Sequence, residues 1–251
     1  MSKSISRALG LPTEYKGLKI YPVKIIDSDE FYNLVECLAI PKNDFQEPEI
    51  IRMSYLEFLL AMAQHQEGYE VIRKLLLLYA MIFRTDNIDI EVDDRNMVFM
   101  VVDGIKLHEM DFDKVKSIIG EQNLVDLEDE LMDLETKNEI REAEKFLARK
   151  KKEKGANLEQ QIIAYHCAMG TSYEEIMQLT IFQFHRGLVR ADYIQNAQAL
   201  NQARYSGMVE FKDEKSLPHW LDNIEEAGKH SDSIISLEEM KKKAGEAGLA
   251  Q

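Results

Sequence analysis

The sequence predicts a mainly helical α+β protein, with a small antiparallel β-hairpin or sheet and two helical lobes joined by a long charged helix. Glycine and proline are scarce, at 12 and 5 of 251 residues, which disfavours a chain dominated by turns and sheet. Apolar residues recur at helical spacing except between Ile88 and Leu107, where they alternate with polar residues or form short runs. Acidic and then basic residues fill residues 125–155.

The first predicted domain is a helical lobe with a β-hairpin, covering residues 1–124. Residues 18–26 partly alternate apolar and polar side chains, but Pro22 has no N–H to donate, so we expect an edge strand or an extended arm. The acidic residues within 27–30 predict the N-terminus of a helix, which Pro41 should end.

Two more helices and a hairpin complete this lobe. Ser54 and Glu57 show the Ser-x-x-Glu pattern of a capping box. Residues 69–83 are apolar on nearly all sides, which predicts a central buried helix. Asp103 and Gly104 separate two apolar runs, and this dipeptide is a strong signal for a two-residue hairpin turn.

The end of the lobe and the linker are marked by composition. A helix is expected from about Asp111, with Gly120 ending or kinking it. Residues 125–155 carry an acidic block followed by a basic one, with sparse apolar positions, and predict a long exposed helix that Gly155 ends.

The second predicted domain is a helical lobe at residues 156–225, followed by a flexible tail at 226–251. Its last helix is expected to reach about Tyr205. Three polar positions should cap its helices, namely Asn157, Thr171–Ser172 and Thr180.

Charge and hydropathy exclude several classes of protein. The net charge of −14 disfavours general binding to nucleic acid, because the chain repels phosphate backbones. The longest apolar run, residues 75–83, is far shorter than the roughly 20 residues of a membrane span. Cys37 and Cys167 are far apart and fit no metal spacing, so we expect free thiols in a cytoplasmic protein.

No pattern in the chain indicates catalysis. The phosphate loop, the GxGxxG fingerprint, the nucleophile elbow and the HExxH motif are all absent from the sequence. The six histidines are scattered, and His166 and Cys167, although adjacent, would point in different directions on a helix. We therefore predict a non-enzymatic protein without catalytic residues, cofactor or metal.

Candidate partner-binding residues are aromatic or basic. Core packing is the favoured interpretation for Phe182 and Phe184, whereas Trp220 lies in a short apolar island that suits docking onto this protein's own lobe or onto a partner. The basic cluster at residues 149–154 could contact a partner, although ion pairs within its own helix explain its charges as well. The candidates are Phe182, Phe184, Tyr193, Trp220, Lys150, Lys151 and Lys152.

Three stretches together resemble a known family. They are residues 21–25 (YPVKI), 111–123 (DFDKVKSIIGEQN) and 171–184 (TSYEEIMQLTIFQF). Between Tyr21 and Trp220 the chain resembles the helical tail and baseplate assembly proteins, chaperone-like or minor structural, of large tailed bacteriophages. The resemblance implies binding to other tail or baseplate proteins without cofactor or catalysis, in the host cytoplasm during assembly. Retention in the virion and an oligomeric state are left open.

A different function remains open from the residues alone. A regulatory or nucleic-acid-associated adaptor would use the basic cluster at 149–154. Phosphate contacts made by such a cluster would weaken steeply with salt.

Overall fold

The computed structural model describes residues 2–45, 47–63, 69–95, 97–127, 139–140, 142–143, 145, 156–206, 219–222 and 224. Within these ranges the chain is mostly helical and carries two small antiparallel sheets, which confirms the predicted α+β class. The helices are α1 Lys3–Ala8, α2 Ser28–Val35, α3 Pro48–Arg52, α4 Tyr55–Ala63, α5 Tyr69–Phe83, α6 Glu109–Asn123, α7 Leu158–Met169, α8 Tyr173–Gln178 and α9 Ile181–Ser206. The strands are β1 Thr13–Tyr15, β2 Leu18–Ile20, β3 Ile88–Val92, β4 Val98–Val102 and β5 Ile105–Leu107.

The chain divides into two compact units. The first comprises Met1–Glu130 with Tyr165–Val189, and the second comprises Leu131–Ala164 with Arg190–Gln251. The predicted division at 1–124, 125–155, 156–225 and 226–251 stays a prediction. Most of its charged linker helix and all of its flexible tail lie outside the described residues.

The core of the first unit is built on one face of α5. Leu75, Leu78, Tyr79 and Ile82 are fully buried at helical spacing. The expectation that α5 is buried on nearly all sides is wrong, because Tyr69 is 74% exposed and other apolar positions of the helix are also open to solvent. The helix therefore covers the core with one stripe.

Aromatic stacking joins α5 to α6 in this core. Phe112 is fully buried and stacks on Tyr79, with 5.8 Å between ring centroids and 10° between ring planes. This pair places α6 against the central helix.

The three-stranded sheet has the order β3-β4-β5 and confirms the predicted hairpin. Val102 pairs with Ile105, so Asp103 and Gly104 form the two-residue turn between β4 and β5. Both turn residues have positive φ angles, 49° and 77°, as a type I′ turn requires.

The strand predicted within residues 18–26 is shorter than expected. Only Leu18–Ile20 is a strand, and it pairs with β1, which the sequence pattern does not predict. The chain then leaves the sheet, and Lys24 forms an isolated antiparallel bridge with Thr180. Two backbone hydrogen bonds flank that bridge, from the Ile25 N–H to the Leu179 carbonyl and from the Ile181 N–H to the Val23 carbonyl, both at 2.9 Å.

The predicted acidic cap of α2 requires correction. Asp27 precedes the helix but makes no side-chain capping hydrogen bond. Ser28 is the first residue of α2, and its hydroxyl donates to the Ile25 carbonyl at 2.7 Å. The helix ends at Val35, before a short 3₁₀ turn, and not at Pro41.

Other predicted caps are confirmed. The Ser54 hydroxyl accepts from the Glu57 N–H at 3.2 Å, and the Glu57 carboxylate accepts from the Ser54 N–H at 2.7 Å. Asn157 caps α7 by accepting from the Gln160 N–H at 2.8 Å. Gly120 does not end α6, which runs on to Asn123.

Candidate partner-binding site

The start of α9 is capped as the sequence predicts, by Thr180. Its hydroxyl accepts from the Gln183 N–H at 3.1 Å, and the Gln183 Oε1 accepts from the Thr180 N–H at 2.9 Å. The other end of the Gln183 amide, Nε2, donates to the Ala8 carbonyl at 3.0 Å. A single side chain therefore caps α9 and binds the end of α1.

A glycine turn brings the end of α1 close to this cap. Gly10 has a φ of +66°, and its N–H donates to the Arg7 carbonyl while the Leu11 N–H donates to the Ser6 carbonyl. A Cβ at Gly10 would lie 3.1 Å from the Thr180 methyl carbon, closer than side chains normally pack. Glycine is therefore favoured at position 10 because of its positive φ angle and because the backbone there lies close to Thr180.

Phe182 is partly exposed, which corrects the core packing that the sequence favours for it, and it lies between two arginines. The guanidinium carbons of Arg7 and Arg186 are each 5.6 Å from the centroid of its ring. Both distances are within the range of a cation–π interaction. Phe182 therefore belongs to a small cationic surface.

Phe184 occupies the core, in agreement with the interpretation that the sequence favours. It is fully buried, and its ring centroid is 5.3 Å from that of Tyr165. Its side chain presents no surface to a partner in this structure. Phe182, two residues earlier on the same helix, takes the more exposed position because residues so spaced lie on different faces.

The crossing of α7 and α9 depends on a glycine that the sequence pattern does not single out. A Cβ at Gly187 would lie 2.8 Å from both Cε2 and the hydroxyl oxygen of Tyr165. The absence of a side chain at Gly187 therefore lets the Tyr165 ring lie against the backbone of α9.

Residues 219–222, which we name the Trp220 turn, form a compact turn in the second unit. The Asp222 N–H donates to the His219 carbonyl at 2.8 Å, and the His219 N–H donates to the Asp222 carboxylate at 2.6 Å. The Leu221 N–H donates to the His219 Nδ1 at 3.2 Å. The aspartate thus closes the turn from within, as short polar side chains commonly do.

Two residues of α9 hold the Trp220 turn in place. Arg190 donates through Nη1 to the carbonyls of Trp220 and Asp222, at 3.1 and 2.9 Å. The Tyr193 hydroxyl donates to the Asp222 carboxylate at 3.2 Å. Being three residues apart, Arg190 and Tyr193 share one face of the helix.

These hydrogen bonds shift the pKa values of Asp222 and Tyr193. The pKa of Asp222 is lowered, first by the hydrogen bond from the His219 backbone and then by that from Tyr193. The pKa of Tyr193 is raised by partial desolvation and by the same hydrogen bond. The charged form of Asp222 is therefore the one that this turn stabilises.

The Trp220 turn exposes two large apolar side chains. Trp220 is 53% exposed and Leu221 is 66% exposed, while their backbones are held by the hydrogen bonds described above. Tryptophan is enriched among the residues that dominate binding energy at protein interfaces. The backbone of this apolar island is bound by α9. The side chains of Trp220 and Leu221 remain accessible to a partner.

The remaining candidates, Lys150, Lys151 and Lys152, lie outside the described residues. Among the candidates that are described, Tyr193 and Trp220 are brought together and Phe182 is placed in a different unit. The sequence reasoning did not single out Arg7, Gln183 or Arg190. Only Gln183 carries a local signal, because Thr180 and Gln183 fit the capping-box pattern.

Two further buried side chains, Lys116 and Cys37, carry polar groups. Lys116 is buried and its amine lies 3.4 Å from the Tyr55 ring centroid. It lines a cavity of about 50 Å³, which is far smaller than the several hundred Å³ of a typical ligand pocket.

Burial raises the pKa of the Cys37 thiol to about 12, which keeps it protonated. No group of three or more metal-binding side chains occurs in the part of the chain that the structure describes.

Fold and site together define a mostly helical α+β protein with an exposed tryptophan turn held against its last described helix. Residues 149–225 match the family model of the YomV second domain, which is phage-associated. The match includes α7, α8, α9 and the Trp220 turn, and leaves residues 1–148 outside. No curated protein and no solved structure matches the chain significantly. No described helix is both long and apolar enough to span a membrane.

Proposed function

We propose that this chain is a non-enzymatic phage tail or baseplate assembly protein that binds protein partners, as an assembly chaperone or a minor virion component. The similarity of residues 149–225 to a phage-associated domain supports the phage context. The resemblance noted between Tyr21 and Trp220 supports the tail or baseplate role.

The observation that carries a binding role is the Trp220 turn. Arg190 holds its backbone and Tyr193 holds the Asp222 side chain, so little chain entropy remains to be lost when a partner covers Trp220 and Leu221. Two exposed apolar side chains on a held turn provide an anchor that a hydrophobic pocket on another protein can bury.

Cross-linking with mass spectrometry in infected cells tests this proposal. The wild-type chain is expected to cross-link to tail or baseplate proteins through residues near the Trp220 turn. Trp220→Ala should lose these cross-links, because it removes the anchor and leaves the backbone contacts of Arg190 in place. Tyr205→Ala is the matched control, since Tyr205 is an 82% exposed aromatic residue on α9 outside the turn.

The fluorescence of Trp220 gives a second measurement, because it is the chain's single tryptophan. A blue shift on adding the purified cross-linked partner is expected when the indole leaves water. Cross-links only to proteins unrelated to tails or baseplates, or a Trp220→Ala variant that keeps them all, would contradict the proposal. Proteomics of purified virions then distinguishes a virion component from a chaperone that departs.

A further inference from the structure

The outer edge of β3, in the first unit, carries no strand. β3 is the first strand of the sheet β3-β4-β5 and is hydrogen-bonded to β4 on one side. In the part of the chain that the structure describes, no strand pairs with its other side. Such an edge presents a row of backbone donors and acceptors that a further strand can use.

The hydrogen bonds at the two ends of β3 show which backbone groups face outward. The Asp93 N–H donates to the Met97 carbonyl, and the Asp103 N–H donates to the Asn87 carbonyl, both at 3.0 Å. Pairing alternates along an antiparallel strand, so the even-numbered residues of β3 direct their N–H and C=O groups away from β4. These residues are Ile88, Ile90 and Val92.

The outward N–H groups are only partly used. That of Ile90 donates to the Oδ1 of Asp89 at 2.8 Å. Those of Ile88 and Val92 meet no acceptor among the described residues. Two backbone donors at the outer edge are therefore available to the carbonyls of an added strand.

The side chains of β3 form two different faces. Ile88, Ile90 and Val92 lie on one face, where the isoleucines are partly buried and the valine is 58% exposed. Asp89 and Glu91 lie on the other face and are exposed. Neighbouring strands interact through side chains on the same face. An added strand therefore fits best when apolar and basic residues alternate along it.

Negative charge continues past both ends of β3. Asp86 precedes the strand and two aspartates follow it, so that residues 86–94 hold five carboxylates. Glu91 pairs with Lys106 at 2.6 Å, but both side chains are about half exposed, so the pair contributes little stability. Like charges repel across neighbouring strands, so this edge disfavours a second copy of itself and favours a basic strand.

We propose that β3 binds an extended basic segment of another protein as a fourth strand of the sheet. The backbone of the segment accepts from the N–H groups of Ile88 and Val92 and donates to the outward carbonyls. Its basic side chains lie beside Asp89 and Glu91. Strand addition of this kind obtains affinity from the main chain and specificity from alternate side chains. This surface is separate from the Trp220 turn and does not depend on the phage assignment.

Defined peptides added to the unmodified chain provide the first test. The probe is a fluorescein-labelled peptide of alternating valine and lysine, and fluorescence anisotropy measures its binding. One control peptide has glutamate in place of lysine. A second control has all its lysines before all its valines, which keeps the charge and composition but removes the alternation. We expect the alternating basic peptide to bind about tenfold more tightly than either control.

Methylation of the peptide amides tests the main-chain hydrogen bonds. Two further probes carry N-methyl groups on all valines or on all lysines, which leaves every charge in place. An added strand uses the N–H groups of only one of these sets, because they alternate between its two edges. One methylated peptide should therefore lose about tenfold or more in affinity, and the other should bind normally.

Hydrogen exchange followed by NMR reports on the protein side of the same contact. The amides of Ile88 and Val92 should exchange with deuterium about tenfold more slowly when the alternating peptide is bound, because they gain acceptors. This measurement uses the wild-type chain and does not depend on the folding of any variant.

Asp89→Lys locates the binding on β3. It should weaken binding of the alternating peptide by about tenfold, because an attractive cross-strand pair becomes a repulsive one. Glu14→Lys is the matched control, since Glu14 is an exposed acidic residue on β1 of the other sheet. Circular dichroism confirms that each variant is folded.

Four results would overturn the proposal. Equal binding of the alternating and block peptides, or equal loss of affinity in Asp89→Lys and Glu14→Lys, would indicate attraction by charge alone. Normal binding of both methylated peptides, with unchanged exchange at Ile88 and Val92, would exclude strand addition. Dimerisation of the wild-type chain that protects these two amides without peptide would assign the edge to a second copy.

Discussion

Gln183 Nε2 donates to the carbonyl of Ala8 at 3.0 Å, and this hydrogen bond joins residues 175 positions apart. The Oε1 of the same amide closes the capping box of α9. A local capping interaction is thereby converted into a long-range contact that positions α1, including Arg7, beside Phe182.

Replacing Gln183 tests this double role. Gln183→Ala is expected to lower the free energy of unfolding by about 1–2 kcal/mol, because one cap and one long-range hydrogen bond are lost together. Urea denaturation measures the change. Gln195→Ala, at an exposed position of the same helix, should alter stability by less than about 0.5 kcal/mol. Equal effects of the two substitutions would show that neither the cap nor the Ala8 contact of Gln183 contributes to stability.

Gly187→Ala is predicted to change stability in the direction opposite to that expected from helix propensity. Alanine in place of a helical glycine ordinarily stabilises a helix by up to about 1 kcal/mol. Gly187→Ala is expected to destabilise the fold instead, by about 1–3 kcal/mol, because its Cβ would lie 2.8 Å from Cε2 and the hydroxyl oxygen of Tyr165. Thermal unfolding provides the measurement.

A double mutant separates this clash from other effects. Tyr165→Leu removes the ring, so Gly187→Ala should cost much less in that background than in the wild type. If the cost is unchanged, the close approach of Tyr165 is not its cause.

Asp111 predicts a pH dependence of stability. Its carboxylate accepts from Lys16 Nζ at 2.6 Å, from the Tyr15 hydroxyl at 2.8 Å and from the His108 N–H at 3.1 Å. Burial by itself would raise the pKa of Asp111, but these hydrogen bonds lower it below the ordinary value of 3.8. The contribution of Asp111 is therefore present above that value and is lost as the pH falls through the lower pKa of the folded state.

Asp111→Asn should accordingly lower stability at pH 7 by about 2 kcal/mol, since a charged hydrogen-bond acceptor is replaced by a neutral amide. The difference from the wild type should shrink as the pH is lowered below 3.8. Urea denaturation between pH 2.5 and 7 measures it, with Asp29→Asn, at an exposed position of α2, as the control. A difference that is constant with pH would exclude the charge of Asp111 as its origin.

Several local features of the fold could be predicted from the sequence. The caps at Ser54, Asn157 and Thr180, and the turn at Asp103–Gly104, depend on contacts within about four residues. The acidic residues at the start of α2 led to a wrong prediction of a side-chain cap, because negative charge near a helix start is favourable without a direct hydrogen bond. The pattern of charges alone does not distinguish a capping hydrogen bond from a negative charge that only lies near the helix start.

The candidate site was predictable in part. The apolar island around Trp220 is visible in the sequence, but its attachment through Arg190 and Asp222 spans about 30 residues and has no local signal. The same holds for the placement of Arg7 beside Phe182, which depends on the glycine turn at Gly10 and the amide of Gln183.

The sequence by itself therefore determined the α+β class, the starts of several helices and the tight turn of the β-hairpin, because short-range hydrogen bonds and backbone preferences decide these features. Only the tertiary structure decided that Phe182, for which the sequence favours core packing as it does for Phe184, is partly exposed, and that the side chain of Trp220 is accessible. Exposure of an aromatic residue depends on which distant segment covers it. That outcome is set by packing between residues that the chain separates by up to 175 positions.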